Sequence, residues 1–123
     1  MKAFTDIEQS KKLAEILPIE SADIWYAEVY EGKIVGYDYI ISDTPYYSLS
    51  FTKPSENNYS QNTVKDIPCW SLTALLGVIP SASLDSSDDH YFRIHCKDKF
   101  SEWHNNPIDA CVEIIFRINK QML

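Results

Sequence analysis

One segment near the C-terminus reads WHNNPIDACVEIIFRINK and occupies residues 103–120. It contains the signals of a helix start. Asn106 suits the N-cap, and Pro107 has the fixed φ that the first helical position favours. Asp109 follows three residues after the N-cap, where its carboxylate can reach back to complete a capping box. We therefore predict a helix that begins at Asn106–Pro107 and runs toward the C-terminus.

The same helix carries an apolar stripe. Its members recur at helical spacing and are Ile108, Cys111, Val112, Ile115 and Ile118, with Ala110 and Ile114 beside them. A stripe this wide predicts a helix that is buried over much of its surface. We therefore expect the polar side chains at its start to hydrogen-bond the free backbone groups of the helix and not to take part in catalysis. Trp103 and His104 are not explained by capping.

A first helix is predicted at residues 6–17. Thr5 and Glu8 have the spacing of a capping box, and Asp6 lies in the first turn, where the helix dipole favours a negative charge. Pro18 cannot continue the helix. These boundary signals place the helix just after the N-terminus.

A further amphipathic helix is predicted within residues 66–80, DIPCWSLTALLGVIP. Its apolar residues have i, i+3, i+4, i+7 spacing and are Leu72, Leu75, Leu76 and Ile79. Gly77 and Pro80 mark its end.

Four strands are predicted from runs of alternating, aromatic and β-branched residues. Residues 24–30 and 34–42 flank Glu31–Lys33 and predict a hairpin. Residues 46–51, YYSLSF, alternate cleanly and add the third strand of a meander. Residues 91–96, YFRIHC, predict the fourth strand.

Two polar segments, residues 53–63 and 81–89, predict loops because they are rich in turn-forming residues. No internal repeat or long linker divides the chain. We expect one α+β domain over residues 1–123, in which an antiparallel sheet of about four strands packs against about three helices.

The charge balance disfavours nucleic-acid binding. The chain has 18 acidic and 11 basic residues and a formal net charge of −7. A duplex-binding protein needs a lysine- and arginine-rich patch to displace counterions, and no segment supplies one. We expect no nucleic-acid partner.

The cysteine content and hydropathy predict an intracellular setting. Three widely spaced cysteines, Cys69, Cys96 and Cys111, do not resemble a secreted disulfide framework. No segment is apolar enough for a membrane span or a signal sequence. We expect reduced thiols, a cytoplasmic location and no membrane partner.

No catalytic or metal-binding motif is visible. The histidines and cysteines lack the paired spacing of a structural zinc site. The acidic cluster Asp85, Asp88 and Asp89 is typical of a solvated loop. Cys69 precedes a predicted helix, where a thiol pKa falls, but such cysteines are usually small buried hydrophobes. We expect no catalytic residue, no metal and no cofactor.

The aromatic residues are the best candidates for a binding site. Tyrosine and tryptophan bind partners or planar ligands at low entropic cost. The candidate binding residues are Tyr37, Tyr39, Tyr46 and Tyr47 in the predicted meander, and Trp70, Trp103 and His104 near the second and last predicted helices. The sequence leaves open whether Trp103 and His104 face a pocket or the core.

Three segments together resemble a known group of proteins. They are the opening TDIEQSKKLAEILPIESADIWY, the central DIPCWSLTALLGVIP and the closing WHNNPIDACVEIIFRINK. The residues that carry the resemblance are Asp66, Pro68, Trp70, Ser71 and Leu72, followed by Trp103, His104, Asn106, Pro107, Asp109 and Ala110. The chain resembles small uncharacterised proteins encoded by phages, prophages and other mobile elements of Bacteroidetes bacteria. The resemblance implies a bacterial host cytoplasm and an accessory role, and it supplies no site residue.

Three functions are compatible with these observations. The leading hypothesis is a non-enzymatic module that binds a host or phage protein through an acidic, aromatic-bearing surface and modulates a host process. The alternative is a protein that holds a small planar molecule, such as a nucleotide, in an aromatic pocket lined by Trp70, Trp103 and His104. A third hypothesis is a small hydrolase that uses Cys69 and a histidine. The oligomeric state is left open.

Overall fold

The computed structural model describes residues 2–52 and 62–122, and for residues 62–64 and 120–122 it describes the backbone alone. It confirms the predicted α+β class, with three α-helices and two antiparallel sheets of four and three strands. The helices are α1 (Ile7–Ala14), α2 (Leu72–Val78) and α3 (Pro107–Met122), with a short 3-10 turn at Ile19–Ser21. The strands are β1 (Ile24–Val35), β2 (Asp38–Ile41), β3 (Tyr46–Ser50), β4 (Asn62–Cys69), β5 (Ala82–Ser86), β6 (Phe92–Cys96) and β7 (Lys99–Phe100). None of the helices in the described ranges is long and apolar enough to cross a membrane.

β1 is the central strand of the four-stranded sheet, and it is longer than predicted. The predicted turn at residues 31–33 was wrong, because β1 continues to Val35, which pairs with Asp38 of β2. The turn is instead Gly36–Tyr37, where Gly36 has a φ of 65°. Glycine adopts this left-handed conformation without a Cβ clash, which makes it the favoured residue in two-residue hairpin turns.

β2 and β3 follow one another along β1 and do not pair with each other. β2 pairs with Gly32–Val35 and β3 with Trp25–Val29. Residues 42–45 lie opposite only two residues of β1, so the returning chain contains two extra residues. The strand predicted at residues 46–51 is confirmed over 46–50, but the predicted three-stranded meander was wrong.

β4 is the strand that the sequence did not reveal. It pairs antiparallel with β1 over Ile24–Glu31. Residues 62–63 were predicted as loop, and that prediction was wrong. Residues 66–69 belong to the segment that was predicted to contain the second helix, but they continue the strand and the helix begins at Leu72. Residues 53–61 of the predicted loop lie outside the described residues. Pro68 has no backbone N–H, which is tolerated because β4 pairs with β1 alone in the described part of the chain.

α1 packs on one face of this sheet. The small core between them consists of Ile24, Tyr26, Ile67 and Cys69, with Phe4 and Ile7 against it. The Tyr26 hydroxyl donates a 2.8 Å hydrogen bond to the Thr5 carbonyl, and the Phe4 ring meets the Tyr26 ring edge-on at 6.3 Å. α1 therefore covers the part of the sheet that lies around Tyr26.

The second sheet has the order β5–β6–β7 and carries α3 on its buried side. β6 confirms the strand predicted at residues 91–96. β5 lies inside residues 81–89, so the prediction of a loop there was wrong. The outward-facing side chains of β5 are short and polar, so the segment resembles a loop in its composition and its alternation of apolar and polar residues was not recognised. Ile94 and Cys96 of β6 are buried with the apolar stripe of α3 in the main core.

The N-cap and the first residue of α3 agree with the sequence prediction, but the Asp109 carboxylate bonds the Asn106 side-chain amide and not the backbone N–H that the predicted capping box requires. The Asp109 N–H donates to the Asn106 side-chain oxygen at 2.8 Å, which makes Asn106 the cap. The Asp109 carboxylate accepts from the Asn106 side-chain amide at 2.8 Å. It also accepts from Lys2 and Gln9, each at 2.8 Å, and so ties the N-terminal segment to α3. The residues Ile108, Ala110, Cys111 and Ile114 are fully buried.

α1 begins one residue later than the predicted capping box. Asp6 is the N-cap and Gln9 completes the box, so the predicted Thr5–Glu8 pair was wrong. The Thr5 hydroxyl is fully buried and accepts from the Trp70 N–H at 3.2 Å. It also bonds the Ser10 hydroxyl at 2.7 Å. Thr5 thus joins α1 to the end of β4, and Asp6 is left to cap the helix.

We expect Thr5→Val to lower the free energy of unfolding by about 1–3 kcal/mol, because it leaves the buried Trp70 N–H without its acceptor. Urea unfolding followed by tryptophan fluorescence measures the change. Thr44→Val, the same substitution at an exposed position, is the control and should change stability by no more than about 0.5 kcal/mol. Equal unfolding midpoints for the two variants would show that the Thr5 hydroxyl does not hold these segments together.

Candidate functional site

The hairpin formed by residues 32–41 is the most exposed regular structure in the described chain. We call it the arm. Every residue from Lys33 to Ile41 is exposed, and β2 pairs only with β1 among the described residues. A two-stranded hairpin is marginally stable alone in water. The arm is held because its first strand is the continuation of β1 out of the buried sheet.

Strand register divides the exposed apolar side chains between the two sides of the sheet, with Val35, Ile40 and Tyr46 on one side and a larger group on the other. Side chains at paired positions point to the same side, so Ile34 lies with Tyr39, and Ile41 lies opposite Gly32. The same side of β1 carries Tyr26 and Glu28, whose partners in β3 are Leu49 and Tyr47. The two extra residues at 42–45 preserve the alternation. The apolar face therefore consists of Ile34, Tyr39, Ile41, Tyr47 and Leu49.

The apolar face is open to solvent beyond α1. Its five side chains are between 41% and 67% exposed. Side chains of this size present on the order of 200 Å² when fully accessible, so the face amounts to roughly 500 Å². Contiguous apolar patches of several hundred Å² on a monomer are uncommon and often functional.

Charged side chains of the arm lie on its other face. The register places Glu31, Lys33 and Asp38 on the side opposite to Ile34. Glu28 shares the apolar side but is only 8% exposed, and its carboxylate accepts from the Tyr30 hydroxyl at 2.6 Å. Lys65 pairs with Glu28 and so also lies on the apolar side, where it is exposed and its ammonium lies 6.0 Å from the centre of the Tyr30 ring. None of the five residues of the apolar face is charged.

The four candidate tyrosines all belong to this region. Tyr39 and Tyr47 lie on the apolar face, Tyr37 is fully exposed at the tip of the arm, and Tyr46 lies on the opposite face, where it pairs with Val29. Sequence reasoning missed Ile34, Ile41 and Leu49. These three residues alternate along their strands in the same way as the tyrosines do. Only the observed strand register shows that Ile34, Ile41 and Leu49 point to the same side as Tyr39 and Tyr47.

Trp70, Trp103 and His104 do not form a common pocket. Trp70 is fully buried in the main core, and its indole N–H donates to the Ser21 hydroxyl at 2.9 Å. Trp103 is 44% exposed on the outside of the second sheet. The His104 imidazole lies 2.8 Å from the Glu113 carboxylate of α3. Of the three, Trp103 is the most exposed.

The contacts of His104 belong to a network that seats residues 99–104 on α3. Glu113 accepts from the Glu102 N–H at 2.9 Å and pairs with Arg117 at 2.7 Å. Arg117 also donates to the Phe100 carbonyl at 2.6 Å. His104 and Asp109 therefore contact different partners, and neither of them reaches a thiol. Sequence reasoning missed Glu113, because it is a polar residue on a helix that was predicted to be buried over much of its surface.

The outward side of the second sheet carries a second group of aromatic and charged residues, which we call the outer cluster: Asp85, Arg93, His95, Phe100 and Trp103. The Arg93 guanidinium lies 4.7 Å from the ring centres of both Phe100 and Trp103. The Asp85 carboxylate contacts the His95 ring at 2.9 Å and accepts from Arg93 at 3.2 Å. These contacts hold the pKa of Asp85 below its ordinary value. The cluster was not predicted, because β5 was taken for a loop.

An open groove adjoins the outer cluster. Its volume is about 370 Å³, and it is lined by Ser87, Asp89, Tyr91 and Trp103. Small-molecule sites are usually enclosed and mostly apolar, whereas this groove is shallow and contains a carboxylate.

The three cysteines are free and buried. Cys69 is fully buried, and its sulfur lies 3.5 Å from the Thr5 hydroxyl. Burial raises the pKa of the Cys69 thiol above its ordinary value, against hydrogen bonds that lower it. Burial also raises the pKa of Cys111 to about 12. Neither thiol has the exposed, electropositive surroundings of a nucleophile.

Within residues 2–52 and 62–122, no three histidine, cysteine, aspartate or glutamate side chains are grouped so that they could hold a metal ion.

No protein-family model, no curated protein and no solved structure matches the chain.

We expect iodoacetamide at neutral pH to leave Cys69 unmodified in the folded chain under conditions that modify it fully in urea. The thiol is inaccessible, and its raised pKa leaves little thiolate. Peptide mass spectrometry over a time course measures the extent of modification at each cysteine. Modification of Cys69 in the folded chain as fast as in the unfolded chain would contradict its burial and support a cysteine hydrolase.

Proposed function

We propose that this chain is a non-enzymatic protein-binding module that contacts another polypeptide through its apolar face. The observation that carries the proposal is the set of five exposed, uncharged and mostly large side chains on one side of the sheet. Burial of apolar surface is the main favourable term in protein association. Tyrosine in particular contributes contact area at low entropic cost.

A polypeptide fits this face better than a small molecule does. The face lies along a sheet and is not enclosed, whereas small ligands bind in concave sites that bury most of their surface. The open area is of the size that one protein surface presents to another in a modest interface. The charges of Glu31, Lys33 and Asp38 lie on the other side and would not be desolvated on docking.

The proposal extends to an accessory role in the cytoplasm of a bacterial host. Two observations support it. The chain resembles the mobile-element proteins of Bacteroidetes bacteria at residues that form helix caps and core, including Trp70, Asn106 and Pro107. In addition, the three cysteines are unpaired and buried, as is usual in a reducing compartment. In such a role the chain would modulate a host process.

Adjacent residues of β2 provide a matched test. Ile41 and Ile40 are 48% and 47% exposed, and they point to opposite faces of the arm. We expect Ile41→Lys to reduce capture of a bound protein at least tenfold, about 1.4 kcal/mol, because the variant places a charge in the contact. Ile40→Lys should retain capture. Crosslinking in living bacteria, affinity purification of the tagged chain and quantitative mass spectrometry measure both.

Thermal unfolding of both variants controls for loss of folding. If Ile41→Lys and Ile40→Lys capture the same proteins in the same amounts, binding does not use the apolar face and the proposal fails.

A small planar ligand is the second candidate, and the outer cluster favours it. Arg93 is stacked against Trp103 beside the open groove, and the 44% exposed indole is a surface on which a planar ring can stack. This site differs from the pocket predicted from the sequence, since it includes neither Trp70 nor His104.

For this candidate we expect nucleosides or nucleotides to raise the melting temperature of the wild-type chain, and Trp103→Ala to abolish that rise. Tyr37→Ala, which removes an exposed aromatic ring at the arm tip, is the control and should leave the rise unchanged. A screen by thermal shift measures it. No shift in the wild-type chain, or an equal shift in Trp103→Ala, eliminates this candidate.

A further inference from the structure

We infer that the polypeptide bound by the apolar face is a second copy of this chain, so that two arms stack face to face in a two-fold dimer. The inference rests on the proposed function and specifies the partner. It follows from the area of the face, the distribution of charge around it and the geometry of the arm.

The area of the face reaches the threshold for a specific but weak interface. Two faces of roughly 500 Å² each would bury about 1,000 Å², which is the lower bound for a specific protein interface. Tyr37, fully exposed at the tip, adds to this area if it reaches the other copy. The apolar face therefore provides sufficient surface for a self-contact without any rearrangement of the described sheet.

The charge pattern permits two copies to meet at this face. A chain with a net charge of −7 repels its own copies over most of its surface. The five residues of the apolar face carry no charge, Glu28 on the same side is buried and accepts from the Tyr30 hydroxyl, and Lys65, which pairs with Glu28, is the exposed charge beside the face. Stacking through this face keeps Glu31 and Asp38 on the outside of the dimer. A strongly basic partner would be expected to bind an acidic surface, and none of the five residues of the apolar face is acidic.

The geometry of the arm is compatible with a two-fold axis. An isologous contact requires one patch that is complementary to itself. The face extends along β1 from the position of Tyr26 to the turn, a length of about 30 Å at 3.3 Å per residue. With the axis near Ile41, the tip of each arm reaches Leu49 and Tyr47 of the other copy. Aromatic and aliphatic side chains would then interdigitate as in stacked sheets.

Sedimentation velocity of the full chain at increasing concentration tests the inference. We expect the wild-type chain and Ile40→Lys to approach twice the monomer mass of 14.2 kDa, and Ile41→Lys to sediment as a monomer. A short bismaleimide crosslinker gives a second measurement. Because the native cysteines are buried, Ile41→Cys should crosslink to its own copy, whereas Ile40→Cys should not.

The results separate this inference from the proposed function. A wild-type chain that is monomeric throughout, or a dimer that persists in Ile41→Lys, overturns the inference. If the chain is monomeric but Ile41→Lys still loses a captured protein, the apolar face binds a different polypeptide and the proposed function stands. If Ile41→Lys matches the wild-type chain in both mass and capture, both proposals fail.

Discussion

The structure depends on a mismatch in length between a strand and the helix that covers it. β1 has twelve residues and extends about 40 Å, whereas the eight residues of α1 span about 12 Å. The helix can bury only the part of the sheet around Tyr26. The rest of the same face continues into solvent with its apolar side chains in place, because strand alternation does not change where the helix ends. The exposed face is thus the uncovered half of a core-forming surface.

The polar residues at the ends of the helices hold the layers together. Thr5 joins α1 to the backbone of Trp70, and Asp109 joins the start of α3 to Lys2 and Gln9. Burial on its own raises the pKa of Asp109, but its hydrogen bonds hold that pKa below the ordinary value. The carboxylate is therefore a stable acceptor at neutral pH, which agrees with a role in seating α3.

Sequence reasoning succeeded where one element carries its own signals. In α3 these signals follow one another along the chain. Asn106 is the cap, Pro107 is the first helical residue, and the apolar stripe marks the buried side. Sequence reasoning failed where the outcome depends on partners distant in sequence. Thr5 and Asp6 are both good N-cap residues, and only the approach of Trp70 shows which of the two side chains is buried. β4 was not recognised as a strand because it contains Pro68 and begins with polar residues. The apolar face was recognised through its tyrosines, while its isoleucines required the register.

The break in the returning strand at residues 42–45 has a consequence for how this chain tolerates length changes. Four residues there lie opposite two of β1, so the segments on either side remain in step. Insertion or deletion of one residue at this point would reverse the sides of the β2 side chains relative to those of β3, so that Ile41 would no longer share a side with Tyr47 and Leu49. Changes of two residues would not. Only insertions or deletions of an even number of residues in this segment therefore keep the side chains of β2 and β3 on their present sides of the sheet.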